Sequence, residues 1–221
     1  MLKSTGISLP YTLIETAGKN LDFFKDVKNV LNQPSGNFFY DSWEVKDTFK
    51  GTIWDEILSF FPSDIGEARI IRLGSGKCYL QHADIDDRYH LNIAGENSYL
   101  LDLHDQKIHQ IFNDNFVWQM DAGKLHTAIN CDTDDRYQLV VRKLIKYTNL
   151  KNPLQVSITP ICNKARFVFD NEVSPVLNRL VKNQVLSNFS IINNGVIFDL
   201  EADFVKILQT LNTNNYAITF N

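Results

Sequence analysis

At 221 residues the chain has room for one sizeable domain, or a domain with a small appendage, and can bury enough surface to need no disulfide framework. It is 44% hydrophobic and 22% charged, and its formal net charge of −4 excludes a broad basic field for nucleic acid or an anionic membrane. Cys78, Cys131 and Cys162 are too scattered for a disulfide scaffold or a four-thiolate zinc site; no stretch is long enough to span a bilayer, and MLKSTGISLPYTLIETAG has no apolar leader, so a cytoplasmic location is expected.

The first seventy residues read as mixed helix and strand. In residues 20–32 (NLDFFKDVKNVLN), Leu21, Phe24, Val27 and Leu31 recur at helical spacing and predict a helix. Residues 52–61 (TIWDEILSFF) repeat the pattern with Ile53, Trp54, Ile57, Leu58 and Phe61, and Pro62 ends it. The aromatic residues here, like Trp118 later, read as core packing.

From about Ala68 to Leu144 the character changes to short strands. ARIIRL, RYHLNI, NSYLLDL, KIHQIF, FVWQM and RYQLVVRKL alternate with turn-prone GSGK, AGEN, LHDQK, NDN, DAGK and CDTDD. This density predicts a mainly β sandwich or barrel.

The last seventy residues change again. QVSITPI reads as a strand, and NEVSPVLNRLVKNQVL as a helix with Pro175 in its first turn. FSIINNGVIFDL is a hairpin around Asn-Gly, EADFVKILQTL a second helix, and YAITF a closing strand. The order β-α-β-β-α-β predicts a ferredoxin-like α/β unit. The expected division is 1–148 for the β domain with its N-terminal helices, and 149–221 for the small C-terminal domain; packing of the same elements onto the barrel as an extension is the other reading.

Chemistry concentrates in LQHADIDDRYHLNI, residues 80–93. In an extended chain side chains alternate between faces, so His82 pairs with Asp84, and Arg88, His90 and Asn92 oppose Tyr89, Leu91 and Ile93. His-x-Asp offers a metal two adjacent ligands. His126, 44 residues on in DAGKLHTAIN and beyond a hairpin at 98–112, supplies a third. Two histidines and one carboxylate leave coordination positions open and suit non-haem Fe(II). Arg136 follows ten residues later, where a buried guanidinium could grip a dicarboxylate with two hydrogen bonds.

The His-x-Asp pair alone is a weak signal, since an acidic surface turn gives the same pattern; the ordered set is what carries weight. His90 reads either as a site residue or as a hydrogen-bonded core histidine, and Arg88 either as a site residue or as an ion-pair partner of Asp86 or Asp87. His104 and His109 read as solvated and are excluded as ligands. Arg142 reads as surface or structural, and Asn130 as a substrate contact or a turn closure.

HADIDDRYHLNI and WQMDAGKLHTAINCDTDDRYQLVV resemble the aspartyl/asparaginyl β-hydroxylase family of 2-oxoglutarate oxygenases, which includes bacterial proline hydroxylases. The resemblance covers residues 65–143 well and the N-terminal part loosely, and does not extend to the C-terminal seventy. It implies a double-stranded β-helix (jelly-roll, cupin-like), Fe(II) held by His82, Asp84 and His126, and Arg136 on the distal carboxylate of 2-oxoglutarate. It further implies His90 at the metal-proximal carboxylate and Arg88 facing cosubstrate or substrate. Ile71 stands near the place of the cosubstrate-binding serine of the animal members. The implied reaction is a dioxygenase hydroxylation of an amino acid or an Asp, Asn or Pro residue of a peptide, using O₂ and 2-oxoglutarate and releasing succinate and CO₂. The competing reading is a cupin-like metal- or ligand-binding sensor or scaffold without turnover; a partnership with nucleic acid or membrane is not expected.

Overall fold

The computed structural model describes the chain except residues 1, 25, 27, 39, 40, 83, 85, 104, 145–148, 183–185 and 203–215. Two compact units separate at residue 145. The first contains β1 (Leu2–Ser8), α1 (Tyr11–Lys19), a 3-10 turn (Leu21–Phe23), β2 (Lys28–Val30), β3 (Asn32–Pro34), β4 (Trp43–Val45) and α2 (Ile53–Ser59). It continues through β5 (Ile65–Leu73), β6 (Arg88–Ala94), β7 (Ser98–Asp102), β8 (Lys107–Gln110), β9 (Phe116–Met120), β10 (His126–Asn130) and β11 (Arg136–Lys143).

A six-stranded antiparallel sheet runs β1-β9-β6-β11-β5-β2, and a smaller one runs β10-β7-β8. Residues 78–82 extend the smaller sheet past β10, where Cys78 bridges Ile129 and His82 bridges His126. The chain therefore visits the sheets in turn: β5 in the large one, 78–82 in the small, β6 large, β7 and β8 small, β9 large, β10 small, β11 large. That winding is a double-stranded β-helix. The layers meet through one apolar cluster, with Leu73 and Met120 from the large sheet and Leu100 and Ala128 from the small.

Side-chain alternation gives the large sheet two different faces. Tyr89, Leu91, Ile93, Leu139 and Val141 join Leu13, Ile14 and Ala17 of α1 and Trp54, Ile57 and Leu58 of α2 in the main core. The opposite face carries Arg88, His90 and Asn92 of β6 beside Arg142, Val140 and Gln138 of β11, in register. Met120, paired with Arg88, belongs to the cluster between the sheets, so this polar face looks inward. Every one of those polar residues is at most 8% exposed.

The helix expected over residues 20–32 does not form. Only Leu21–Phe23 turn, and Lys28–Val30 pair instead with the outer edge of β5. Leu21, Phe24 and Leu31 are buried as their spacing suggested, while Val27 lies outside the described residues. Backbone pairing with an open strand edge outweighs weak helical propensity here. Asn32 reinforces the strand choice, donating to Gly66 O at 2.8 Å and accepting from Ala68 N at 2.7 Å. The helix expected over 52–61 does form as α2, with the Thr52 side chain accepting from Trp54 N at its start.

The second unit contains β12 (Asn149–Pro160), α3 (Asn163–Val168), a π-helical turn (Phe169–Val173), α4 (Ser174–Lys182), β13 (Leu186–Ile192), β14 (Gly195–Ala202) and β15 (Tyr216–Phe220). Its antiparallel sheet runs β13-β14-β12-β15, the ferredoxin-like strand order. Val156, Ile158, Phe198 and Leu200 of the sheet and Leu177 and Leu180 of α4 are all buried. Of the second helix expected from EADFVKILQTL, Glu201 and Ala202 belong to β14, and 203–211 lie outside the described residues.

Candidate active site

His82 and His126 face each other across a reciprocal backbone bridge. His82 N donates to His126 O and His126 N to His82 O, each at 2.9 Å, so both side chains leave the same side of the sheet. Their ring centroids are 4.4 Å apart. Each Nδ1 meets the carbonyl two residues earlier, His82 at Leu80 O (2.8 Å) and His126 at Lys124 O (2.7 Å). The Nδ1 proton makes that bond, which leaves Nε2 with its lone pair turned outward. Burial pushes His126 below the ordinary imidazole value, so the ring is neutral at pH 7.

Asp84 completes the cluster. Its N–H donates to Ala122 O at 2.8 Å, and its Oδ2 lies 4.0 Å from His126 Nε2. One ligand atom from each of His82, Asp84 and His126 lies within 4.8 Å of the others. Burial opposes the Asp84 charge, but Arg88, His82, His126 and Arg69 together hold the carboxyl below its ordinary value. Two imidazole nitrogens and one carboxylate oxygen, all converging, fit a divalent transition-metal ion. Ligands each about 2.1 Å from a shared ion stand roughly 3 Å apart, so binding one draws these atoms modestly closer.

The inward face of the large sheet supplies the remaining groups. His90 is 8% exposed, with Nδ1 3.4 Å from Gln138 Oε1 and Nε2 without a hydrogen-bond partner. Burial pushes its pKa down to about 3; the Gln138 hydrogen bond opposes this, and the charges of Arg136, His126 and Arg88 add to it. One imidazole therefore feels groups from β6, β10 and β11 together.

Arg136 is 3% exposed, and among the described residues no carboxylate pairs with it; its Nε has no partner. Its guanidinium carbon lies 5.8 Å from the centre of the Tyr79 ring, and the buried Tyr79 hydroxyl, without a well-formed hydrogen bond of its own, has the Arg136 guanidinium as its polar neighbour. Gly95, at φ +91°, permits the close approach: a Cβ there would stand 3.0 Å from Arg136 Cα. A buried guanidinium without a counter-ion is costly, and an arriving anion relieves that cost.

Arg88 forms the ion pair with Asp86 that was one of its two sequence readings. Its Nη2 lies 3.1 Å from Asp84 Oδ1, and its Nη1 pairs with Asp86, so its charge is directed to the chain's own carboxylates. Arg142, read as surface or structural, is 3% exposed and structural, bonding Asp86 through Nε at 2.5 Å. Asn130 closes a turn, donating to Leu73 O and Asp134 O and accepting from Asp132 N. Trp118 lies opposite His90 on the inward face, half-buried rather than in the core. His109 is half-buried on β8 and outside the three-residue cluster, and His104 lies outside the described residues. Sequence reasoning passed over Tyr79 and Gln138; the parity of Gln138 with Arg136 was the one available signal.

No protein-family profile matches the chain, and no curated protein matches it. Among solved structures, the chain is similar to a prolyl-4-hydroxylase from Pseudomonas putida, at 12% identity over 66% of this chain and 92% of that one, TM-score 0.45. It is also similar to an oxidoreductase of the 2OG-Fe(II) oxygenase family from Burkholderia pseudomallei, at 8% identity over 52% and 65%, TM-score 0.33. A non-heme monooxygenase, the ThoJ–Ni complex, matches at 10% identity over 82% and 96%, TM-score 0.38.

Proposed function

We propose that this chain is an Fe(II)- and 2-oxoglutarate-dependent dioxygenase that hydroxylates an amino acid, or an Asp, Asn or Pro residue of a peptide, with succinate and CO₂ as coproducts. The observation that carries the reading is Arg136, a buried and unpaired guanidinium inside the same barrel as the His82–Asp84–His126 cluster. A metal ligand set with open positions asks for a chelating partner, and an unpaired buried cation asks for an anion; a short dicarboxylate answers both.

In this reading His82, Asp84 and His126 hold the iron, which when bound supplies oxygen activation. Arg136 and the Tyr79 hydroxyl hold the distal carboxylate. His90 serves the metal-proximal carboxylate: with the Gln138 amide turned so that its nitrogen donates to Nδ1, His90 carries its proton on Nε2 and donates it. The buried polar face between the sheets keeps these donors fixed before the cosubstrate arrives.

The test is a turnover screen of free amino acids and short peptides with Fe(II), 2-oxoglutarate and O₂, following succinate and a product heavier by one oxygen atom. A hydroxylated product supports the assignment and names the substrate. Iron binding with no succinate from any mixture, coupled or uncoupled, would favour a non-catalytic ligand-binding protein instead.

A further inference from the structure

The two carboxylate oxygens of Asp84 have separate neighbours. Oδ2 faces His126 Nε2 at 4.0 Å, whereas Oδ1 is held by Arg88 Nη2 at 3.1 Å. Arg88 is itself fixed from behind by Asp86, which also receives Arg142 Nε at 2.5 Å. Arg142 is anchored in turn, with Nη1 donating to Phe38 O at 3.3 Å and its guanidinium carbon 4.0 Å from the centre of the Phe38 ring. Arg88, Asp86 and Arg142 are 6%, 5% and 3% exposed. With Asp84 the group contains two carboxylates and two guanidiniums, a balanced set that survives burial only while each member keeps its partner.

We infer that Arg88 is a positioning residue that occupies Asp84 Oδ1, so that Asp84 can give a bound metal ion only its other oxygen. The inference rests on the metal site proposed above. Asp84 lies between the 78–82 edge and β6, with its backbone tied to Ala122, and the described contacts of its side chain are those with Arg88 and His126. Without the guanidinium the carboxylate is free to rotate or to chelate through both oxygens, which fills a coordination position that cosubstrate or O₂ needs. The chain Arg88–Asp86–Arg142–Phe38 also ties this one-oxygen geometry to residues ahead of the barrel. Arg88 thereby acts on the site through a ligand rather than by meeting substrate.

The experiment is titration of the full chain with Ni(II) and Co(II) by calorimetry and visible absorption, with thermal unfolding of each metal-free variant. Arg88→Met should weaken metal affinity by roughly tenfold to a hundredfold, the range for partners that orient a ligand. It should also change the Co(II) ligand-field spectrum, as the unpinned carboxylate loses its fixed one-oxygen geometry. Arg88→Lys, keeping a donor and the charge, should recover part of the affinity. If Arg88→Met does not fold, Arg142→Met decides the matter by loosening Asp86, with a smaller loss of the same kind. Wild-type affinity and an unchanged Co(II) spectrum in the folded variant would overturn the inference. If wild type binds no metal, or His126→Ala binds as well as wild type, the metal-site reading fails instead.

Discussion

Arg136 and Tyr79 lie side by side between the two sheets, guanidinium carbon 5.8 Å from ring centre, and among the described residues the buried guanidinium has this phenol beside it and no carboxylate. Burying the charge this way costs stability, and an anion bound there would relieve that cost.

Arg136→Met therefore separates stability from binding. Removing the buried charge while keeping most of the volume should raise metal-free stability by about 1 kcal/mol or more. Wild type should melt at higher temperature as 2-oxoglutarate is added in the presence of Ni(II), following mass action, and the variant should show no such shift. A variant that is less stable and still responds to 2-oxoglutarate would contradict the assignment of Arg136.

His90 should leave a mark on the pH dependence of folding. Its pKa is pushed down to about 3 by burial, against 6.5 for an ordinary imidazole. Between those values the unfolded chain takes up a proton that the folded chain refuses. Stability is thus fully present above pH 6.5 and falls as pH drops through that window, by at most about 1.4 kcal/mol per unit. His126, also lowered, adds with the same sign. Urea denaturation of the metal-free protein between about pH 7.5 and about pH 5 should show a falling midpoint, with a shallower fall in His90→Gln. Equal slopes for both proteins would show that His90 is not held neutral.

What could be read ahead of the structure was set by short-range pattern. The two-residue alternation separated Tyr89, Leu91 and Ile93 from Arg88, His90 and Asn92, and the packing follows that division: the apolar three join the main core, while the polar three, likewise buried, face the other sheet. The same alternation could not say that the polar set faces inward, because that depends on α1 and α2 covering the other side. Residues 20–32 misled because their partner is the edge of β5, some forty residues later. Tyr79 was passed over because Arg136 lies 57 residues away, and the Asp86–Arg142 pair spans 56. Periodicity carries no record of such distant ion and ring partners.

Asn32 offers a test of that edge. Its amide serves both Gly66 O and Ala68 N while 2% exposed. Asn32→Ala leaves both backbone groups of β5 without partners and should cost about 2–4 kcal/mol of unfolding free energy. Chemical denaturation measures it; a loss within experimental error would mean that β5 finds other partners and that the asparagine does not hold the edge.

The central claim is tested most directly by anaerobic titration of the metal-free protein with Fe(II) and 2-oxoglutarate, followed by visible absorption. Wild type should develop the weak charge-transfer band of a chelated iron–2-oxoglutarate pair. His126→Ala should lose the band, and Arg136→Met should need much more 2-oxoglutarate to reach it. No band in wild type, or an undiminished band in His126→Ala, would contradict the account.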